Sequence, residues 1–248
     1  MELSANLGFL FADLPFPQRI TAAARAGFRA VEFHDQAQGE DLGRIAKLLQ
    51  DEGLRLCSLN CAMGSTAGSA ALAGEEARFR AEFLSALDAA DRLGARAIHV
   101  MTGRVSEAGA EAVLLRNLEF ALTRTDRSLL LEVISPAAMP GYWMNSPERF
   151  EAVLAELPDP QLRLMGDWYH FSQICGASAL ARLRALGPHL GHLQLARARD
   201  RGDPMAQDLP CWPGIRALAI EYGLDIGLEY RPTLPPAEVL RSLREWAL

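Results

Sequence analysis

The chain reads as a single α/β domain, a (β/α)8 barrel spanning residues 1–248, and two observations predict it. Strand-like and helix-like segments alternate through eight rounds. Right-handed crossovers between parallel strands would close those rounds into a cylinder. Four strand-like runs in the second half each end on a side chain carrying an oxygen ligand: Leu129-Leu-Leu-Glu132, Leu162-Arg-Leu-Met-Gly-Asp167, His192-Leu-Gln194 and Ile226-Gly-Leu-Glu229. Parallel strands one helix apart would bring those ends to one rim.

In chain order, strand 3–10 precedes helix 16–26, and strand 29–34 precedes helix 40–52. Asp51-Glu52-Gly53 closes that second helix, with Gly53 at the C′ position. Strand 54–60 leads to helix 75–93. There Phe79, Phe83, Leu84, Leu87, Ala90 and Leu93 recur at helical spacing, a face for the core, and Gly94 ends the run. Strand 96–102 and helix 106–124 follow, then strand 128–134. Ser146-Pro147-Glu148 opens helix 146–156 with an N-cap and a proline at N1. Strand 161–167, helix 174–186, strand 190–196, helix 212–222 and strand 224–230 complete the alternation. Pro235-Pro236 opens the last helix, 235–246.

One stretch breaks the rhythm. Residues 64–74, Gly-Ser-Thr-Ala-Gly-Ser-Ala-Ala-Leu-Ala-Gly, are small and glycine-rich where the loop after the third strand belongs. They read either as a mobile lid over a pocket or as a solvated linker. No GxGxxG or GxxxxGK pattern is present, so this is not a phosphate-cradling loop.

Composition narrows the function. Half of the 248 residues are hydrophobic, ample for one sizeable core. A net charge of −6 disfavours nucleic acid or an anionic membrane surface, whose phosphates it would repel. The apolar stretch Leu7–Phe11 is short and is followed by Asp13 and Pro15, so no membrane span is expected. Met1-Glu-Leu-Ser lacks a basic n-region, so no signal peptide is expected and the location reads as cytoplasmic. Cys57, Cys61, Cys175 and Cys211 form no CxxC and read as free thiols in or near the core.

Chemistry in such a barrel sits at the C-terminal ends of the strands. A carboxylate on a strand otherwise made of Leu, Val and Ile is costly to bury unless a cation or hydrogen bonds compensate it. Glu132, Asp167, Gln194 and Glu229, on four successive strands, therefore read as ligands of one divalent metal ion. Their hard oxygens suit Mg²⁺ or Mn²⁺ and do not exclude Zn²⁺ or Co²⁺. His170 reads either as a donor to a substrate hydroxyl or carbonyl or as a core histidine stacked beside Trp168 and Tyr169. One of Arg197, Arg199 and Arg201 would neutralise a substrate carboxylate or a developing oxyanion. Glu32, at the end of the second strand, either faces the same rim or buttresses it, and His34 and Asp35, which follow it in sequence, are further candidates. His192 points to the same side as Gln194, one layer below. His99, inside the fourth strand, could face either way.

At these residues the chain resembles the hydroxypyruvate isomerase family, within the xylose-isomerase-like TIM barrels that also include ketose 3-epimerases. The resemblance runs through Ser4-Ala-Asn-Leu-Gly-Phe-Leu-Phe11, Gly27-Phe-Arg-Ala-Val-Glu-Phe33 and the Glu76–Gly94 helix. It continues through Pro140-Gly-Tyr142, Asp167-Trp-Tyr-His170, Gly191-His-Leu-Gln194, Arg201-Gly-Asp-Pro204 and Glu229-Tyr-Arg-Pro232. It implies that Glu132, Asp167, Gln194 and Glu229 hold the metal, that Glu132 and Glu229 are the acid/base pair, and that His170 and Arg201 contact substrate. The substrate shell departs from the family pattern. Glu132-Val-Ile-Ser135 stands for Glu-Pro-Ile-Asn, Ser172 for a glutamine, Ala196-Arg197 for Ala-Asp, and Met205-Ala-Gln-Asp208 for Gly-Thr-Gly-Glu. Residues 64–74 replace a Gly-Asp-Trp segment.

The expected activity is a metal-dependent isomerisation, aldose to ketose or within a keto acid, through an enediolate of a small hydroxy-carbonyl compound. Epimerisation of a ketose is the alternative within that chemistry. Metal-assisted hydrolysis of a phosphodiester would call for several clustered histidines and a basic stripe, and a barrel with an altered shell could instead only bind a sugar or acid. The expected partner is a small molecule, with no nucleic acid and no membrane, and the outer helices leave room for a homo-oligomer.

Overall fold

A computed structural model describes residues 1–105 and 108–245. It shows a closed barrel of eight parallel strands in sequential order. The strands are β1 (Leu3–Asn6), β2 (Ala30–Phe33), β3 (Arg55–Asn60), β4 (Ala97–His99), β5 (Ser128–Glu132), β6 (Leu162–Asp167), β7 (Leu190–Leu195) and β8 (Ile226–Leu228). The cylinder closes where β1 pairs with β8 in the register Leu3 to Ile226, Ser4 to Gly227 and Ala5 to Leu228.

Nine helices pack outside among the described residues: α1 (Phe16–Arg25), α2 (Leu42–Asp51), α3 (Glu76–Leu93), α4 (Ala110–Leu122), α5 (Pro147–Glu156), α6 (Trp168–Cys175), α7 (Ala179–Ala185), α8 (Trp212–Glu221) and α9 (Pro236–Glu245). Their ends follow local chemistry. Asp41 caps α2, its Oδ1 accepting from the amides of Gly43 and Arg44. Ser146 caps α5 ahead of Pro147. Gly94, at φ +70°, takes the left-handed turn that ends α3. Positions 106 and 107 of the expected fourth helix and 246 of the last lie outside the described residues.

The main departure from the expected elements follows β6. A loop and one helix at 174–186 were expected; instead the strand runs directly into α6, and α7 follows. Asp167 makes this possible, because its Oδ1 accepts from the Tyr169 amide at 2.8 Å and caps the helix with no loop between. Strand ends were also read too long: the chain turns at Leu7 after β1, and Glu229 lies just past β8.

The large core lies between barrel and helices and includes Phe33, Phe79, Phe83, Phe150, Phe171 and Trp212, each almost fully buried. Burying such a side chain contributes roughly 1.5–3 kcal/mol. Inside the cylinder the two-residue period of a strand sets up layers. Ala97, Leu130 and Met165 form a small separate apolar cluster. Each sits two residues before a polar residue at the rim: His99, Glu132 and Asp167. On the opposite side the lower layer is small or polar, with Ser4, Ala30, His192 and Gly227 below Asn6, Glu32, Gln194 and Glu229. One half of the barrel's interior is thus an apolar floor and the other a buried polar network.

Candidate active site

The four residues singled out at strand ends all turn into the barrel mouth, and none is more than 7% exposed. Glu132 ends β5, Asp167 ends β6, Gln194 lies on β7, and Glu229 follows β8. Glu132, Asp167 and His170 each place one ligand atom within 4.8 Å of the others. His170 comes from the first turn of α6, with Nε2 at 3.6 Å from both Glu132 Oε1 and Asp167 Oδ2. Its Nδ1 faces Ser135, whose amide donates to it at 3.2 Å.

Glu229 faces a different set of partners. Its Oε1 accepts from the Arg201 guanidinium, and its Oε2 accepts from Asn6 at 2.7 Å and from Gln194 Nε2 at 2.5 Å. Arg201 also reaches Asp167 Oδ2 at 3.3 Å and lies over the rings of Phe9 and Tyr169. Its backbone is held at φ +57°, an uncommon conformation for a residue other than glycine. The bond from its amide to the Arg197 carbonyl forms the turn that sends the side chain back over the mouth. Of the three arginines after β7, Arg201 enters the site. Arg197 pairs with Asp200, and Arg199 is exposed.

Beneath these side chains, Glu32 bonds His192 Nε2 through Oε2 at 2.6 Å. Its Oε1 accepts from Asn6 at 3.1 Å and from Gln194 Nε2 at 3.2 Å. The Gln194 amide nitrogen is thus committed to Glu32 and Glu229, which leaves its oxygen to the mouth.

Charge demand is strong here. Burial, then the charges of Glu229 and Asp167, push the Glu132 carboxyl well above its usual range. Burial, opposed by Arg201 and reinforced by Asp167 and Glu32, raises Glu229 to about 8. Burial lowers His170 to about 4, so its imidazole is neutral. The donor set fits a divalent cation. Glu132 Oε1 and Gln194 Oε1 are buried without a hydrogen-bond partner among the described residues, and Glu132, Asp167 and Glu229 share the single positive charge of Arg201.

Glu132, His170, Gln194, Arg201 and Glu229 line a cavity of about 120 Å³, with Phe9, His34, Asn60, Met63, His99, Met101, Ile134, Ala138 and Met139 completing its wall. It is small beside the roughly 300–1,000 Å³ of pockets for drug-sized ligands. A larger cavity opens at the other end of the barrel around Arg96, Arg127 and Arg163, away from the carboxylates. Residues 64–74 are fixed against the segment that follows β4. The amides of Ala70 and Ala71 donate to the carbonyls of Met101 and Thr102, and Arg104 N donates to Thr66 O. A Cβ on Gly68, at φ +100°, would overlap Met101.

Asn60 goes unmarked in the sequence, and His99, whose facing is open there, turns into the mouth. Both are polar at the inward position of a strand end, the signal that picked out Glu132. Neither carries a charge, and the short β4 gave no parity to orient His99.

Fold and site together define a parallel α/β barrel enzyme with a carboxylate-lined mouth competent to hold a metal. The chain belongs to the xylose isomerase-like TIM barrel family, whose profile matches residues 20–247. It is 34% identical to the 2-oxo-tetronate isomerase of Cupriavidus necator over 93% of each chain. It is 27% identical to the hydroxypyruvate isomerase of Escherichia coli over 94% of each. Among solved structures it resembles an AP endonuclease, family 2, from Brucella melitensis, at 26% identity and a TM-score of 0.87, covering 100% of this chain and 98% of that one. No described helix is long and apolar enough to cross a membrane.

Proposed function

We propose that this protein is a metal-dependent isomerase of a small 2-keto acid bearing a hydroxyl on the neighbouring carbon, of the size of hydroxypyruvate or a 2-oxo-tetronate. The observation that carries the reading is that Glu132 and Glu229, from strands on different sides of the mouth, face one small cavity that also holds Arg201. The full-length relatives act on such compounds by name.

Glu132, Asp167, Gln194 and Glu229 would hold the ion, with His170 beside the first two. A bound Mg²⁺ or Mn²⁺ would keep these carboxylates ionised and polarise the substrate carbonyl. Isomerisation removes a proton from the hydroxyl-bearing carbon, forms an enediol-type intermediate, and returns a proton to the former carbonyl carbon. One of the two glutamates takes the first proton, and the same or the other one delivers the second. Arg201, once released from Glu229, grips the substrate carboxylate, and Phe9 and Tyr169 keep its guanidinium flat over the mouth. Met63, Met101, Ile134 and Met139 exclude water from the reacting carbons.

The test is proton NMR of hydroxypyruvate and of four-carbon 2-keto acids in D₂O, with the Mn²⁺-loaded protein. Deuterium entering the hydroxyl-bearing carbon, together with aldehyde formation, supports the reading. Retention of all carbon-bound protons with no aldehyde formed across the panel refutes it.

A further inference from the structure

His99 is buried to 2% exposure on β4, and it lines the cavity with its ring beside Glu132. Its Nδ1 lies 3.2 Å from Asn60 Oδ1. The Asn60 amide nitrogen lies 3.7 Å from Met101 Sδ, so the oxygen is the atom turned to the ring. An amide oxygen only accepts. The bond therefore requires the proton on Nδ1, and it leaves Nε2 with a lone pair. That lone pair has no partner among the described residues. Glu132 Oε2 stands 3.8 Å away, too far for a direct hydrogen bond, and it too is an acceptor when ionised. Two buried acceptors side by side at a cavity wall call for a donor between them.

We propose that His99 reads a hydroxyl group of the substrate, accepting its proton at Nε2 on the carbon that Glu132 serves or the one bonded to it. This rests on the isomerase reading only for the identity of the donor, since a hydroxy-carbonyl compound carries a hydroxyl there. A carboxylate or a bare keto oxygen in that place would face two lone pairs and be rejected. Nε2 stands beyond hydrogen-bonding distance of Glu132, where a charged ring would donate, and burial favours the uncharged form. His99 is thus a specificity residue: it selects hydroxylated acids over their deoxy counterparts.

Two probes differ by that one group: glycerate, and lactate, which lacks the terminal hydroxyl. Calorimetric titration of the Mn²⁺-loaded protein should give at least tenfold tighter binding of glycerate. His99→Phe should bring glycerate down to the affinity of lactate and leave lactate within twofold. His99→Gln, which keeps an acceptor at similar reach, should restore part of the preference. The inference is overturned if the unmutated protein shows no preference or binds neither probe. It is equally overturned if His99→Phe keeps the preference or weakens both acids alike. The D₂O exchange assay on the unmutated protein reports separately on the isomerase reading, so the two can fail independently.

Discussion

Glu32 of β2 reaches past β1 onto Gly227 of β8, so closely that any Cβ at 227 would overlap its Oε1. Glycine there gives a charged side chain room to descend one layer and meet His192 while still holding Gln194 and Asn6. Gly227→Ala should therefore displace Glu32 and cost about 1–3 kcal/mol of stability through overpacking. Glu32→Gln should weaken Mn²⁺ binding by roughly 10–100-fold, because partners behind a ligand set its orientation. Titration calorimetry checks the second expectation. Unchanged affinity would show that Gln194 orients without Glu32.

Glu132 and Glu229 bring a stability cost to the site. Burial is the first cause raising both carboxyls, so each destabilises the folded chain when ionised. Glu229→Gln and Glu132→Gln should each cut kcat by at least about 10²-fold, the scale of losing a general base or acid. The metal-free variants should melt no lower than the unmutated chain. An active Glu229→Gln enzyme with saturating Mn²⁺ removes Glu229 from the acid/base pair.

The same argument predicts the response to metal. Ligand binding to the folded state alone is worth about 2.7 kcal/mol at a hundredfold excess over Kd. Mn²⁺ should raise the melting temperature by several degrees, EDTA should reverse it, and Glu132→Gln should abolish the gain. A melting curve indifferent to Mn²⁺ in the unmutated chain would exclude a folded-state metal site.

Much of this is legible in the sequence. A carboxylate at the end of an apolar strand is costly without a partner, and the recurrence of such ends, with Gln194, on four successive strands is what marks Glu132, Asp167 and Glu229. Strand parity placed His192 below Gln194. The unread parts depend on contacts between distant strands. Asp167 reads as a strand end, yet it also caps a helix, and that second role erased the expected loop and put His170 on α6. The loop at 64–74 looks mobile by composition. Its glycines instead let it lie against Met101 and Gly103, a fact held in the neighbouring segment rather than its own residues. No local pattern announces that Gly227 makes room for Glu32, because they lie on different strands of a closed ring.

At the opposite end of the barrel, Asp225 ties the closing seam together. It takes two hydrogen bonds from Arg55 of β3, both at 2.7 Å, and one from the Glu2 amide ahead of β1 at 2.9 Å. Burial raises its pKa, but the Arg55 pair and the Glu2 amide outweigh that and hold it below its ordinary 3.8. In the unfolded chain the carboxyl regains its ordinary value and binds a proton first as pH falls. Its contribution is therefore full above that value and is lost as pH drops through the lower folded one. Arg55 is partly exposed, so the loss in Asp225→Asn at pH 7 should be about 2 kcal/mol, between surface and buried ion pairs. The gap in urea midpoint between variant and unmutated chain should shrink steadily as pH falls below 4. A gap of the same size at pH 7 and pH 3 would mean that Asp225 holds the seam by shape rather than by charge.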